Sequence, residues 1–363
     1  MISPRDLKPV RGQRILLTGG AGFIATALAE RLEADNELVL FDVRFTDTPL
    51  SYTALPQRKN VQCVQGDIRD DALVRRLVAS ADSVVHMAAI VGVRNVLQHS
   101  RETLDVNYRG TANLLAGTVG HPGLNRFVYF STSEVFGANS FRVHEGVYSS
   151  IGSYTDARWS YSIAKLAGEH LLHAYHRDLG VPSVIIRPFN VFGPRRTGEN
   201  ALKMFIERAL LNEPITIHGD GSQIRSWCYI DDFADGVIRT LSEPAAVGED
   251  FNLGNPTNTL TIYELAKLVV RLLNSRSRID FVDIDFSDID IRVPNSDKAR
   301  RLLGFQPRME MEEAVVRTAE WYAAQMGVGA RVRAPQRLDG KWKLDAAATP
   351  APAAFNGSSA VAS

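Results

Sequence analysis

The sequence predicts an α/β fold, a doubly wound parallel sheet with a smaller mixed α/β domain laid against it. Two observations carry the prediction. From residue 14 onward, short apolar runs rich in β-branched residues alternate with longer helical stretches, and strand then helix, repeated, builds a parallel sheet covered on both faces. A glycine-rich turn, "TGGAGF", follows the first of those runs and opens a helix, which makes the sheet Rossmann-like.

The strand candidates in order are "RILLTG", "ELVLFD", "VQCVQGD", "SVVHMAA", "RFVYFST" and "SVIIRPFN". Between them lie "FIATALAERLEA", "DALVRRLVAS", "TLDVNYRGTANLLAGTV" and "WSYSIAKLAGEHLLHAYHRD", whose apolar residues recur at helical spacing. Past Pro188 the rhythm breaks into mixed helices and short strands. The expected organisation is a dinucleotide-binding domain over 1–187, rejoined by a segment near 226–250, and an interleaved second domain over 188–327. Residues 328–363 turn rich in Ala, Pro, Ser and Gly and are expected to form a disordered tail.

Composition narrows the function. Over 363 residues, Lys plus Arg equals Asp plus Glu at 41 each, so no net field draws nucleic acid or an anionic membrane, and neither is an expected partner. Any anionic ligand must be held by local groups. Two cysteines, Cys63 and Cys228, stand far apart without a CxxC or His/Cys cluster, so no metal site and no disulfide framework is expected. A reducing cytoplasm is the simplest location. The start "MISPRDLKPVRGQR" has no apolar leader segment, and no apolar run approaches the ~18 residues of a membrane span, so a soluble chain is expected.

The glycine turn predicts NAD. Gly20, Gly22 and Ala25 fit the G-x-G-x-x-G/A form, with Gly19 as an additional glycine. Such a turn lets the backbone approach a pyrophosphate, which rests on the free N–H groups at the helix start, here Gly22, Phe23 and Ile24. Asp42 closes the second strand 20 residues after Gly22, where an acid accepts ribose hydroxyls and repels a 2′-phosphate. Arg44 is the competing signal for NADP, and a solvated arginine is the preferred reading. Asp67 ends the third strand, where its side chain and the Ile68 backbone would meet adenine; a helix N-cap before "DALVRRL" is the other reading, and the two are compatible.

Catalytic candidates cluster in two motifs. "SYSIAK" sets Tyr161 and Lys165 one turn apart on a helix face, and an ammonium beside a phenol lowers its pKa, readying Tyr161 as a base. The spacing itself is common, because Tyr263 and Lys267 in "YELAK" repeat it; that pair reads as a surface pair. Only Tyr161 follows a strand ending in hydroxyls, "STSEVFG", with Thr132, Ser133 and Glu134.

These motifs resemble the extended short-chain dehydrogenase/reductases that modify nucleotide sugars. The resemblance runs from Arg14 to about Tyr322 through "TGGAGFI", "GDIRD", "HMAA", "DVNYRGTANLL", "STSEVFG", "YSIAK", "RPFNVFGP", "GDGSQIRSWCYIDD" and "IRVPNSDKARRLLGF". It implies that Ala88 and Ala89 line the NAD site and that Asn107 lies on the helix behind the nicotinamide. It further implies that Thr132 bonds the sugar beside Tyr161, that Lys165 holds the nicotinamide ribose, and that Asn190, Arg225 and Arg292 bind the substrate's nucleotide diphosphate. A homodimer built on "TLDVNYRGTANLLAGTV" and "WSYSIAKLAGEHLLHAYH" is also implied.

The implied chemistry is transient oxidation of the sugar at C4. A 4,6-dehydratase of this kind carries Asp-Glu after the threonine, whereas this chain has Ser133-Glu134, which resembles UDP-glucuronate decarboxylases, as does "RWSY". "HMAAIVGVRN" lacks the proline-rich loop common in UDP-xylose-forming decarboxylases, "GPRRTGENALKMF" lacks an arginine those enzymes often carry, and "DVNYRGTANLL" looks like the 4-epimerases. The balance of motifs favours a 4-epimerase, with the decarboxylase as alternative and a dehydratase or a non-catalytic NAD-binding protein behind.

Overall fold

The computed structural model describes residues 9–198, 200–283, 288–329, 336–338 and 341–343. Every strand candidate forms a strand of one sheet: β1 (Arg14–Thr18), β2 (Glu37–Asp42), β3 (Val61–Gln65), β4 (Ser83–His86), β5 (Arg126–Phe130) and β7 (Ser183–Pro188). A seventh strand, β12 (Asp250–Leu253), comes from far along the chain and pairs in parallel with β7. The order is β12-β7-β5-β4-β1-β2-β3, all parallel, so the chain leaves β1 toward one edge and β4 toward the other. A crevice therefore opens at the carboxyl ends of β1 and β4, where the winding reverses.

Alternation along the strands divides the core. Leu17, Leu40, Val85 and Val128 belong to the cluster on one face, while Leu16, Val39, Val84 and Phe127 belong to the cluster on the other. On the first face α1 (Phe23–Leu32) packs against α8 (Ile230–Ser242). The second face carries α2 (Asp71–Ala79), α5 (Gly110–Thr118) and α6 (Ser160–Leu179). Helix α6 ends on Gly180, whose φ of +68° lets the chain reverse in the left-handed region. It also presses close to the sheet, since a Cβ on Gly168 would lie 2.2 Å from the Tyr129 hydroxyl oxygen.

The helix expected over "TLDVNYRGTANLLAGTV" forms, with one irregular turn inside it. After α3 (Val93–Gln98) and α4 (Ser100–Leu104), residues Asp105–Arg109 form a wide π-type turn before α5 begins. The buried Asn107 lies in that turn, where its amide accepts from the Ile90 backbone N–H at 2.8 Å and donates to the Ile90 carbonyl at 3.0 Å.

A second layer stands over the crevice. Its sheet runs β13-β10-β15-β6, from β13 (Thr259–Thr261), β10 (Ile224–Ser226), β15 (Ile291–Pro294) and β6 (Asn139–Val143). Strand β6 thus lies in the small sheet although it precedes residue 187, and β12 lies in the large one although it follows residue 188. Beside the small sheet α7 (Ala201–Leu211), α9 (Ile262–Leu272) and α11 (Met311–Met326) pack together, while α10 (Asp297–Leu303) packs against β12 and α8. The expected tail lies outside the described residues, apart from 328, 329 and a short antiparallel pairing of Gln336–Leu338 with Lys341–Lys343. Among the described residues, no helix is long and apolar enough to cross a membrane, and no cluster of acids, histidines or cysteines could hold a metal ion.

Candidate active site

The glycine turn fits a dinucleotide on structural grounds. Gly19 has φ +68°, and a Cβ on it would stand 2.9 Å from the Ala88 nitrogen, while one on Gly20 would stand 2.7 Å from the Leu40 Cα. Only glycine lets this loop pass between the ends of β2 and β4. Gly22 caps α1 without a side-chain hydrogen bond, and the first turn holds no acid, so the N–H groups around Phe23 and Ile24 and the positive helix end are available to a pyrophosphate. Ala25 is buried and keeps the helix close to the sheet. Asp42 stands at the end of β2 and accepts from the Ala21 N–H at 3.1 Å; burial pushes its carboxyl up, with that bond and Arg44 opposing. Arg44 itself is exposed.

The neighbouring loops are tied to one another. Thr18 Oγ1 accepts from the N–H groups of Met87 and Ala88, both at 3.2 Å, and meets His86 Nδ1 at 2.8 Å. Ala88 and Ala89 follow directly on β4 beside the glycine loop, and Asn107 secures Ile90 just beyond them. Asp67 is not a helix cap. Asp70 caps α2 by accepting from the Leu73 N–H at 3.0 Å, whereas both oxygens of Asp67 are taken by Arg69, whose guanidinium holds the carboxyl below its usual range. Two residues of intervening chain put Asp70, not Asp67, at the cap position directly before α2. Ile68 is buried, and its side chain fills the space beside Gly110.

At the end of β5 the chain turns tightly over Ser133–Phe136, and Thr132 caps that turn by accepting from the Glu134 N–H at 3.2 Å. The Thr132 side chain is also a neighbour of the Tyr161 phenol and opposes its rise in pKa. Ser133 is buried beside them. Glu134 is clamped: Arg158 Nη1 donates to Oε2 at 2.7 Å, Ser162 Oγ to the same oxygen at 3.2 Å, and Arg292 Nη2 to Oε1 at 3.2 Å. Burial alone would raise this carboxyl, but Arg292, Arg158 and Ser162 together bring it down to about 2. Glu134 is an ionised group at every working pH.

Tyr161 and Lys165 correct the simple picture of a phenol beside an ammonium. Burial and then Glu134 push the Tyr161 phenol up, against the Thr132 side chain and the charges of Arg292 and Arg158. Lys165 is 1% exposed, its amine lies 4.9 Å from the centre of the Tyr129 ring, and burial lowers it to about 7 with Glu169 opposing. Desolvation is the largest influence on the phenol, and the groups that oppose it are Thr132, Arg292 and Arg158 rather than Lys165, so the expected lowering is not found.

The small sheet faces this cluster with cations. Arg225 and Arg292 are direct register partners on parallel strands, so both side chains leave the same face of the sheet. Burial and the Arg292 charge lower Arg225 to about 10. Arg225 donates to the carbonyls of Ile224 and Asp290, and Asn190 bridges the Ser226 carbonyl at 2.8 Å and Arg292 Nη1 at 3.4 Å. The structure thus gathers Thr132, Ser133, Glu134, Tyr161, Asn190 and Arg292 at one end of the crevice.

Residues 15–254 match the NAD dependent epimerase/dehydratase family. The chain belongs to that family. It is 31% identical over 319 residues to a UDP-N-acetyl-alpha-D-glucosaminuronate decarboxylase of Bacillus cytotoxicus, covering 85% of this chain and 98% of that protein. It is 30% identical over 315 residues to a UDP-glucuronate 4-epimerase of Thermodesulfobacterium geofontis, covering 84% of this chain and 95% of that one. The UDP-glucuronic acid 4-epimerase of Bacillus cereus, solved with UDP-glucuronic acid and NAD, superposes with a TM-score of 0.78 at 28% identity over 86% of this chain and 99% of that one. The cofactor of the family is NAD, which when bound takes a hydride from the substrate carbon and can return it.

Within the family frame, sequence reasoning missed Arg158. It is 3% exposed and makes the shortest bond to Glu134. Its signal was present in "RWSY", read only as a motif, because nothing local says that an arginine before the helix reaches back across 24 residues to the strand end.

Proposed function

We propose that the protein is a nucleotide-sugar decarboxylase, acting on a nucleotide-diphosphate-linked hexuronate through a transient 4-ketone. The observation that carries the reading is the Glu134 clamp. An elimination across C5 and C6 needs a protonated acid beside the sugar, and a carboxyl held at about 2 cannot serve. A 4-epimerase needs only the Thr132, Tyr161 and Lys165 set, which leaves Glu134 and its two arginines without a task. A decarboxylase needs the C6 carboxylate seated beside the 4-ketone, and the two guanidiniums around Glu134 give the cluster a net positive charge that can seat it.

In this reading Tyr161 Oη, beside Thr132, takes the C4 hydroxyl proton as a phenolate while the C4 hydride goes to NAD. The Lys165 ammonium, together with a bound oxidised nicotinamide, has to favour that phenolate against the burial that raises the phenol here. The resulting ketone lies β to the carboxylate, so the C5–C6 electron pair moves toward the C4 oxygen as CO₂ departs. The enolate then takes a proton at C5, and Arg292 opposes the charge on its oxygen. Lys165 holds the nicotinamide ribose, and Asn190 and Arg225 take the diphosphate. The relative from Bacillus cytotoxicus supports this assignment by name.

The second reading is a 4-epimerase, supported by the Thermodesulfobacterium relative and by the missing proline-rich loop. Incubation with UDP-glucuronate, UDP-N-acetylglucosaminuronate and UDP-glucose, followed by NMR with CO₂ detection, separates them. CO₂ release with loss of the C6 signal is expected, and a C4 epimer formed without CO₂ overturns the decarboxylase. A homodimer is proposed through α4, α5 and α6, whose flank exposes Leu104, Tyr108 and Ile163; light scattering tests it.

A further inference from the structure

Helix α6 turns toward the sheet a stripe that carries charge where packing would favour apolar residues. Lys165 and Glu169, one turn apart, are 1% and 6% exposed. Glu169 is gripped at both oxygens by Arg187 of β7, Nε to Oε1 at 2.8 Å and Nη2 to Oε2 at 2.6 Å. The remaining Nη1 of Arg187 donates to Asp250 of β12 at 2.8 Å. The other oxygen of Asp250 takes the Lys298 ammonium from α10, which also sits 2.8 Å from Glu249. Charges alternate in sign along this row from α10 through β12 and β7 to α6.

The row is unbalanced without Lys165. Three carboxylates, Glu169, Asp250 and Glu249, stand against two cations, Arg187 and Lys298, which leaves one negative charge in excess. Glu145, near the far end, accepts from the Asn252 N–H, and burial pushes its carboxyl up. The other groups around Lys165 bring no negative charge. His86 of β4 is fully buried between the hydroxyls of Thr18 and Thr111, and burial and Lys165 hold it neutral. Tyr129 of β5 lies under the amine and donates its hydroxyl to the Lys165 carbonyl, so it stays a phenol. Tyr161 shares the helix, and its phenol is pushed up by burial.

We propose that Glu169, oriented by Arg187 and Asp250, is a positioning residue that supplies the counter-charge keeping the buried Lys165 an ammonium. An unpaired charge in so dry a place would shed its proton. Burial already brings Lys165 to about 7, so a small change in the counter-charge moves its protonation near neutral pH. The row also couples Lys165 to α10, which begins five residues after Arg292, so the segment that holds substrate and the one that holds cofactor share one electrostatic element.

The test follows the 13Cε resonance of Lys165 against pH in lysine-labelled full-length protein, assigned by its loss in Lys165→Met. In Glu169→Gln the midpoint is expected to fall by about one pH unit or more. Asp250→Asn should lower it less, and the outlying Glu249→Gln should leave it in place. A folded Glu169→Gln protein with the wild-type midpoint overturns the proposal. If Glu169→Gln does not fold, Asp250→Asn decides: a downward shift supports the assignment and an unchanged midpoint overturns it. The measurement uses no substrate, so its outcome is independent of which reaction the enzyme performs.

Discussion

The same Tyr-x-x-x-Lys spacing occurs twice, and the two copies behave differently. On α9, Tyr263 is 41% exposed and Lys267 lies over its ring at 5.4 Å, a solvated pair on a helix held by a capping box of Thr261 and Glu264. On α6, Lys165 is buried and lies over a different ring, that of Tyr129, while Tyr161 neighbours Thr132 and sits in the field of Glu134, Arg158 and Arg292. Spacing places two side chains on one face of a helix. What they can do depends on the strand end the helix is pressed against.

Substitutions at matched positions test this contrast. Tyr161→Phe should cost about 10²–10⁴-fold in turnover while the purified protein keeps its NAD, read from released nucleotide. Tyr263→Phe should stay within about twofold, and equal losses in the two variants would erase the distinction. Next in size is Arg158→Met, which leaves a buried carboxylate with Arg292 and Ser162 alone. It should cost about 3–5 kcal/mol in urea unfolding, against about 0.5 kcal/mol or less for Lys267→Met. Gly168→Ala should cost about 1–3 kcal/mol, because the new methyl meets the Tyr129 hydroxyl and forces α6 outward.

A smaller effect is expected from pH. The folded-state value of Glu134 lies below that of a free carboxyl, so its contribution to stability is complete above the unfolded value of ~4.3 and is lost as pH falls toward about 2. Urea midpoints measured between pH 6 and pH 2.5 should decline less steeply in Glu134→Gln than in wild type. Parallel declines would remove Glu134 from the acid sensitivity.

Much of the fold was readable beforehand because it rests on local rules. Strand runs, the glycine turn and Asp42 at the end of β2 are statements about adjacent residues, and each stands where the pattern placed it. Local rules were incomplete where a distant side chain intervened. Asn107 reaches back to Ile90 from a π-type turn that the helical pattern does not announce. Asp67 lost its capping role to Asp70, which the turn brings to the helix start.

The amino-acid sequence by itself determined the sheet, the NAD loop, and the hydroxyl-rich strand end facing a Tyr/Lys helix. Each follows from backbone preference and periodicity within some twenty residues. Only the tertiary structure decided the electrostatics: that Glu134 is held as an anion between Arg158 and Arg292, and that Glu169, one turn from Lys165, ends a row of charges reaching α10. Coulomb energy depends on separation and burial, and packing alone sets both for residues as far apart in the chain as 134 and 292.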